Sequence, residues 1–102
     1  MTDRLHALIG GRVQGVGFRY FVSRSVAGLD EPVHGWVRNL TDGRVEILAE
    51  GPRHALENLL IVAREGTGAS KVNRVEEEWG KVTGEFGDFS IRPTAKNPGA
   101  AS

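Results

Sequence analysis

One run of nine residues constrains this chain more than any other: Gly11-Arg12-Val13-Gln14-Gly15-Val16-Gly17-Phe18-Arg19. A strand pattern leads into it, with Leu5, Ala7 and Ile9 alternating along one face. A helical pattern leaves it, with Phe18, Phe21, Val22, Val26 and Leu29 at the spacing of one helix stripe. The run is therefore a glycine-rich turn from a strand end to a helix start. Glycines let successive backbone N–H groups curl into a concave nest, and the helix N-terminus adds positive potential to it. Arg19 falls in the first helical turn, the end where the helix dipole disfavours a cation. A fixed arginine there is consistent with an anion between it and the nest, and the expected anion is phosphate.

The rest of the chain supplies the frame. Its 102 residues make one domain, long enough to bury roughly two-thirds of the unfolded surface without a metal or disulfide staple. The absence of cysteine removes disulfides, thiolate nucleophiles and thiolate metal sites. The sequence shows neither a signal-peptide pattern nor an apolar run long enough to span a bilayer, so a cytoplasmic protein is expected, with no membrane partner. Thirteen basic and 13 acidic residues cancel. That balance is unlike the basic face that RNA or DNA binding requires, so no nucleic-acid partner is expected.

Strands are predicted over residues 4–12, 33–39, 44–50 and 71–79, with a short last one over 89–92. A helix is predicted over 18–27, closed by Gly28. A second starts at Gly51-Pro52 and ends near Arg64 and Gly66. Thr41-Asp42-Gly43 signals a hairpin turn. Residues 1–92 form the expected domain, and 93–102, with two prolines and small residues, read as a disordered tail. The order βαββαβ is that of an α+β ferredoxin-like sandwich, an antiparallel sheet with two helices on one face. In that topology the first two strands run parallel with the third between them. Their C-terminal ends, carrying the glycine loop and Asn39, then share one edge.

Three elements are thereby expected to converge: the amides of Gln14, Gly15, Val16, Gly17, Phe18 and Arg19, the Arg19 guanidinium, and the Asn39 carboxamide. The arginine fork suits two phosphate oxygens at once. A neutral carboxamide both donates and accepts, so it can hold a water. The loop contains no Asp, Glu or His to serve as a base, and no residues stand at metal-ligand spacing, so no metal or cofactor is expected. Asp42 is assigned to the hairpin turn. The pattern points to phosphate recognition with a positioned water.

The chain resembles the acylphosphatase family. The resemblance rests on the nine-residue run, on Gly35-Trp36-Val37-Arg38-Asn39 with Asp42-Gly43-Arg44-Val45-Glu46, on Glu50-Gly51-Pro52 and on Phe89-Ser90-Ile91-Arg92. It implies hydrolysis of the carboxyl–phosphate bond of a small-molecule acyl phosphate, giving a carboxylate and inorganic phosphate. It places the catalytic pair on Arg19 and Asn39 and phosphate binding on the loop amides. Water held by Asn39 would attack in line, and the substrate's own phosphoryl oxygen would take the proton. A grip on the phosphate alone implies broad tolerance of the acyl group. Two departures stand out. Asp30 to His34 lengthen a connection that is shorter in the family, and the chain runs on after Arg92.

Each signal also has a plainer reading. Gly15 and Gly17 alone would be turn glycines. Arg19 alone would be a surface cation, Asn39 a strand-end residue, and the scattered His6, His34 and His54 surface or strand residues. Trp36 and Trp79 read as half-buried strand residues, and Glu76-Glu77-Glu78 as a solvated edge. One rival is a non-catalytic phosphate-ligand or RNA-binding module on the same fold. Another is a domain relative that handles carbamoyl phosphate within a larger maturation enzyme, which the chain's length disfavours. Nothing in the sequence demands more than a monomer.

Overall fold

The computed structural model describes residues 2–96. The elements run β1 (Thr2–Arg12), α1 (Phe18–Ala27), β2 (His34–Asn39), β3 (Val45–Pro52), α2 (Arg53–Glu65), β4 (Lys71–Gly80) and β5 (Phe89–Ile91). The α1 bounds match the helical spacing, and Gly28 closes the helix by donating its N–H to the Arg24 carbonyl at 3.1 Å. β3 runs through Gly51-Pro52 instead of stopping there, and α2 begins at Arg53. Of the lengthening stretch Asp30 to His34, residues 30–33 precede β2 and His34 is its first residue.

The sheet order is β4-β1-β3-β2-β5. β1 and β2 both pair antiparallel with the central β3, so they run parallel to each other and end at the same edge. The registers align Leu5, Ala49 and Gly35 in one row, then Ala7, Ile47 and Val37, then Ile9, Val45 and Asn39. These odd-numbered β1 residues and their β3 partners are fully buried. They form one cluster with Phe18, Val22 and Val26 of α1 and Leu56, Leu59 and Leu60 of α2, so both helices cover one face. This is the expected ferredoxin-like sandwich. Among the described residues no helix is long and apolar enough to cross a membrane.

Two expectations need correction. The sheet is mixed, because β5 pairs parallel with β2. β4 lies on the far edge and runs antiparallel to β1, so it ends where β2 begins. Residues 81–88 cross along that end of the sheet, and β5 then has to run in the direction of β2. Residue 95, placed in the expected tail, is tied to the sheet. Ala95 N–H donates to Asn39 O at 3.0 Å and Ala95 O accepts from Thr41 N–H at 3.0 Å, which prolongs the line of β5. Residues 97–102 lie outside the described residues.

The helix-free face of the sheet is polar but closely packed. Glu46 is buried between His6, at 2.6 Å, and Arg38, at 2.7 Å. Trp36 is 6% exposed rather than half-buried. The Arg38 guanidinium lies 4.2 Å and that of Arg92 5.5 Å from its ring centre, so the cations shield the indole from water. Trp79 is the half-buried residue expected, and Glu76-Glu77-Glu78 lie exposed on the β4 edge.

At the end opposite the glycine loop, the Glu50 carboxylate fixes the 81–88 connection. It is 7% exposed and accepts from Thr83 N–H at 2.8 Å, Gly84 N–H at 3.1 Å and Thr83 Oγ1 at 3.1 Å, with Arg4 at 3.6 Å. Burial alone would raise its pKa. The donors and the Arg4 charge outweigh burial and hold it below the ordinary glutamate range. A lowered folded-state pKa contributes stability at neutral pH that is lost as pH falls through that pKa. Urea titrations from about pH 7 to about pH 3 are expected to show a loss of stability that is smaller in Glu50→Gln, which keeps the acceptor but not the charge. Equal losses in the two proteins would rule out Glu50 as a titrating clasp.

Candidate active site

The loop between β1 and α1 has the geometry that its glycines require. Gly15 (φ 73°) and Gly17 (φ 74°) both sit in left-handed conformations that side chains disfavour. A Cβ at either position would meet nothing within 4 Å, so backbone angle rather than crowding explains both glycines, and the space beside them is open. Gly17 is the N-cap of α1, and the first helical bond runs from Phe21 N–H to Gly17 O at 3.0 Å. No side chain caps the helix and its first turn holds no acidic residue. Its leading amides therefore have no side-chain acceptor, and their positive end is not neutralised locally.

Arg19 stands in that first turn, half-buried, with no ion-pair partner among the described residues. Most other arginines of the chain are paired with carboxylates or stacked on tryptophan. Arg19 lines a pocket of about 180 Å³ together with Val13, Gly15, Gly17, Phe18, Tyr20 and Ile91. The Val13 and Phe18 side chains belong to the core. Phe18 can thus offer a ligand its backbone, while its ring anchors the loop. Val16 packs against the same core, and its carbonyl lies 3.5 Å from Thr67 Oγ1, at the outer limit of a hydrogen bond.

Gln14 has a role that its place in the loop did not disclose. Its side chain reaches the segment between β2 and β3, and Nε2 donates to Leu40 O at 2.8 Å and to Arg44 O at 2.9 Å. Those carbonyls flank the β2–β3 turn. The turn is closed by Leu40 N–H to Arg44 O at 2.8 Å and by Asp42 Oδ1 accepting Arg44 N–H at 3.0 Å, the turn role expected of Asp42. One carboxamide thus stitches the glycine loop to the hairpin beside Asn39. No periodicity signals such a bond, because it links residues 26 and 30 positions apart.

Asn39 ends β2 in the register row of Ile9 and Val45, on the helix-covered face. It is not among the residues lining the pocket. What joins it to the loop is the shared sheet edge and the Gln14 stitch. Its Oδ1 is buried with no hydrogen-bond partner, which leaves a polar acceptor in a costly state unless a small donor reaches it. Tyr20 and Ile91 were not foreseen as pocket residues. Tyr20 lies next to Arg19 in sequence, but Ile91 arrives through the β5 pairing that local patterns did not reveal. Among the described residues no group of three or more His, Cys, Asp or Glu could hold a metal ion.

The acylphosphatase family model matches residues 5–91. A curated acylphosphatase of Koribacter versatilis is 52% identical over 87 residues, covering 85% of this chain and 77% of that protein. One of Salinibacter ruber is 46% identical over 89 residues, covering 87% and 92%. The crystal structure of acylphosphatase from Bacillus subtilis superimposes with a TM-score of 0.82 at 40% identity, over 88% of this chain and 98% of that one.

Gln14→Leu keeps the bulk of the side chain and removes both stitching bonds. It is expected to lower stability by about 1–3 kcal/mol in urea titrations and to weaken binding of inorganic phosphate in calorimetry. Unchanged stability and phosphate affinity would show that the stitch does not hold the loop.

Proposed function

The chain belongs to the acylphosphatase family and is an enzyme that hydrolyses acyl phosphates, and we propose that it does so in a single displacement at the β1–α1 loop. The amides of Gln14 to Arg19 and the N-terminus of α1 receive the phosphoryl oxygens, as such termini receive anions generally. The Arg19 guanidinium grips two of those oxygens and offsets charge as it develops in the transition state. Arg19 without an anion is a cation at the positive end of a helix. With a phosphoryl group between them, both positive partners face negative charge.

The observation that carries this reading is the buried, unpartnered Oδ1 of Asn39 at the same sheet edge. Once the carboxamide turns toward the loop, a water donating one hydrogen to Oδ1 would satisfy it and would have a lone pair free for phosphorus. The water oxygen bonds to phosphorus as the phosphorus–acyl oxygen bond breaks, and the carboxylate leaves with that bonding pair. The water's proton passes to a phosphoryl oxygen of the substrate, so no protein base is needed. A carboxylate is a good leaving group, so little acid assistance is needed either. What the chain supplies is position and charge stabilisation, the main catalytic terms in phosphoryl transfer. We assign the reaction to a monomeric, cytoplasmic enzyme working on small molecules without metal or nucleic acid.

Benzoyl phosphate turnover with excess chelator tests the reading. The wild-type chain is expected to stay active, and Arg19→Ala and Asn39→Ala to lose on the order of a hundredfold or more in kcat while remaining folded by circular dichroism. Wild-type rates retained by either variant would remove that residue from the mechanism. In ¹⁸O-labelled water the label is expected in the inorganic phosphate. Label in the carboxylate would mean attack at the carbonyl carbon and would overturn direct displacement at phosphorus.

A further inference from the structure

The pocket beside the glycine loop is lined by two chemically distinct sets of residues. One is Gly15, Gly17 and Arg19. The other includes Tyr20 and Ile91, which are 69% and 37% exposed. Among the described residues the exposed large hydrophobic side chains are Tyr20, Ile61, Val82 and Ile91, so two of the four border this one small pocket. Single exposed apolar residues are ordinary on a protein surface. Two that converge from separate elements, α1 and β5, on an anion-binding loop are a different matter. A site with a few convergent polar groups and apolar walls is the usual form of a small-molecule pocket.

We propose that Tyr20 and Ile91 form the acyl-binding wall of the enzyme, so that acyl phosphates with an aromatic or branched apolar acyl group are preferred over acetyl phosphate. The inference rests on the phosphoryl placement proposed above. With phosphate at the glycines and Arg19, which line the same small pocket, the acyl group lies within reach of these two side chains. A ring or branched chain then covers apolar surface that an acetyl group is too short to reach. The volume of about 180 Å³ is below the roughly 300–1,000 Å³ of sites that enclose a whole drug-sized ligand. The wall therefore contacts one side of the acyl group and grades substrates without excluding any class. Position also fixes the two roles. Tyr20 follows Arg19 directly, and Ile91 is held opposite Val37 by the β5 ladder, so neither can drift far from the loop.

The test is the ratio of kcat/KM for benzoyl phosphate to that for acetyl phosphate in wild type, Tyr20→Ser, Ile91→Ser and Tyr20→Phe. Both side chains are exposed, so the folded chain is expected to tolerate each change. The ratio is expected to fall by about fivefold or more in the two serine variants and to be kept in Tyr20→Phe, because the wall acts through apolar contact. An unchanged ratio in both serine variants, with wild-type turnover intact, would overturn the wall and leave the phosphoryl site standing. A ratio lost equally in Tyr20→Phe would also overturn it, because the hydroxyl would then be the recognising group. Failure of the wild-type chain to hydrolyse either substrate would overturn the underlying site assignment instead.

Discussion

Two hydrogen bonds from a single carboxamide, Gln14 Nε2 to the carbonyls of Leu40 and Arg44, join the two segments on which the proposed site depends. The sheet brings the ends of β1 and β2 to one edge, but β3 stands between them. A glycine loop of that kind could lean toward either neighbour or away from both. The Gln14 bonds tie it to the hairpin that follows Asn39. Below it, the Phe18 ring and the Val13 side chain fix the loop in the core. Position is thus set from the core and from the hairpin, and the outer side is left open.

The same region is locally unfavourable to itself. Its glycines adopt left-handed angles, its helix begins without a side-chain cap, Arg19 sits at the wrong end of a dipole, and Asn39 Oδ1 has no partner. The left-handed angles are ones that glycine tolerates, but the uncapped helix start, the Arg19 placement and the unpartnered Oδ1 each cost stability in isolation, and the phosphoryl group and water of the proposed site would relieve these three. Elsewhere the chain satisfies its charges closely. Glu46 is held by His6 and Arg38, and Glu50 by Thr83, Gly84 and Arg4. The contrast is what the proposed site would produce, with strain kept where a ligand is to bind and charges satisfied where only the fold is served.

Much of this was legible in the sequence because it is local. Periodicity gives the bounds of α1, the hairpin at Thr41-Asp42-Gly43 and the alternation of β1, and the βαββαβ order dictates which strand ends meet. What escaped is carried by contacts between residues distant in sequence. The direction of β5 follows from where β4 ends, and the bond of Ala95 to Asn39 from where β5 then points. Pattern shows neither. Glu50 has the alternation of a strand residue, and nothing nearby says that it will hold the 81–88 connection. Gln14 could be read as a loop amide, but its side-chain partners lie across a turn whose position only the folded sheet fixes. Ile91 joins the pocket for the same reason.

The central claim is that the loop amides and Asn39 belong to one phosphoryl site. Amide-resolved NMR of the wild-type chain titrated with inorganic phosphate tests it most directly. The account predicts that the backbone amides from Gln14 to Arg19 and the side-chain NH₂ of Asn39 shift together along one saturation curve. Shifts confined to other surfaces, or a loop that responds while Asn39 does not, would contradict it.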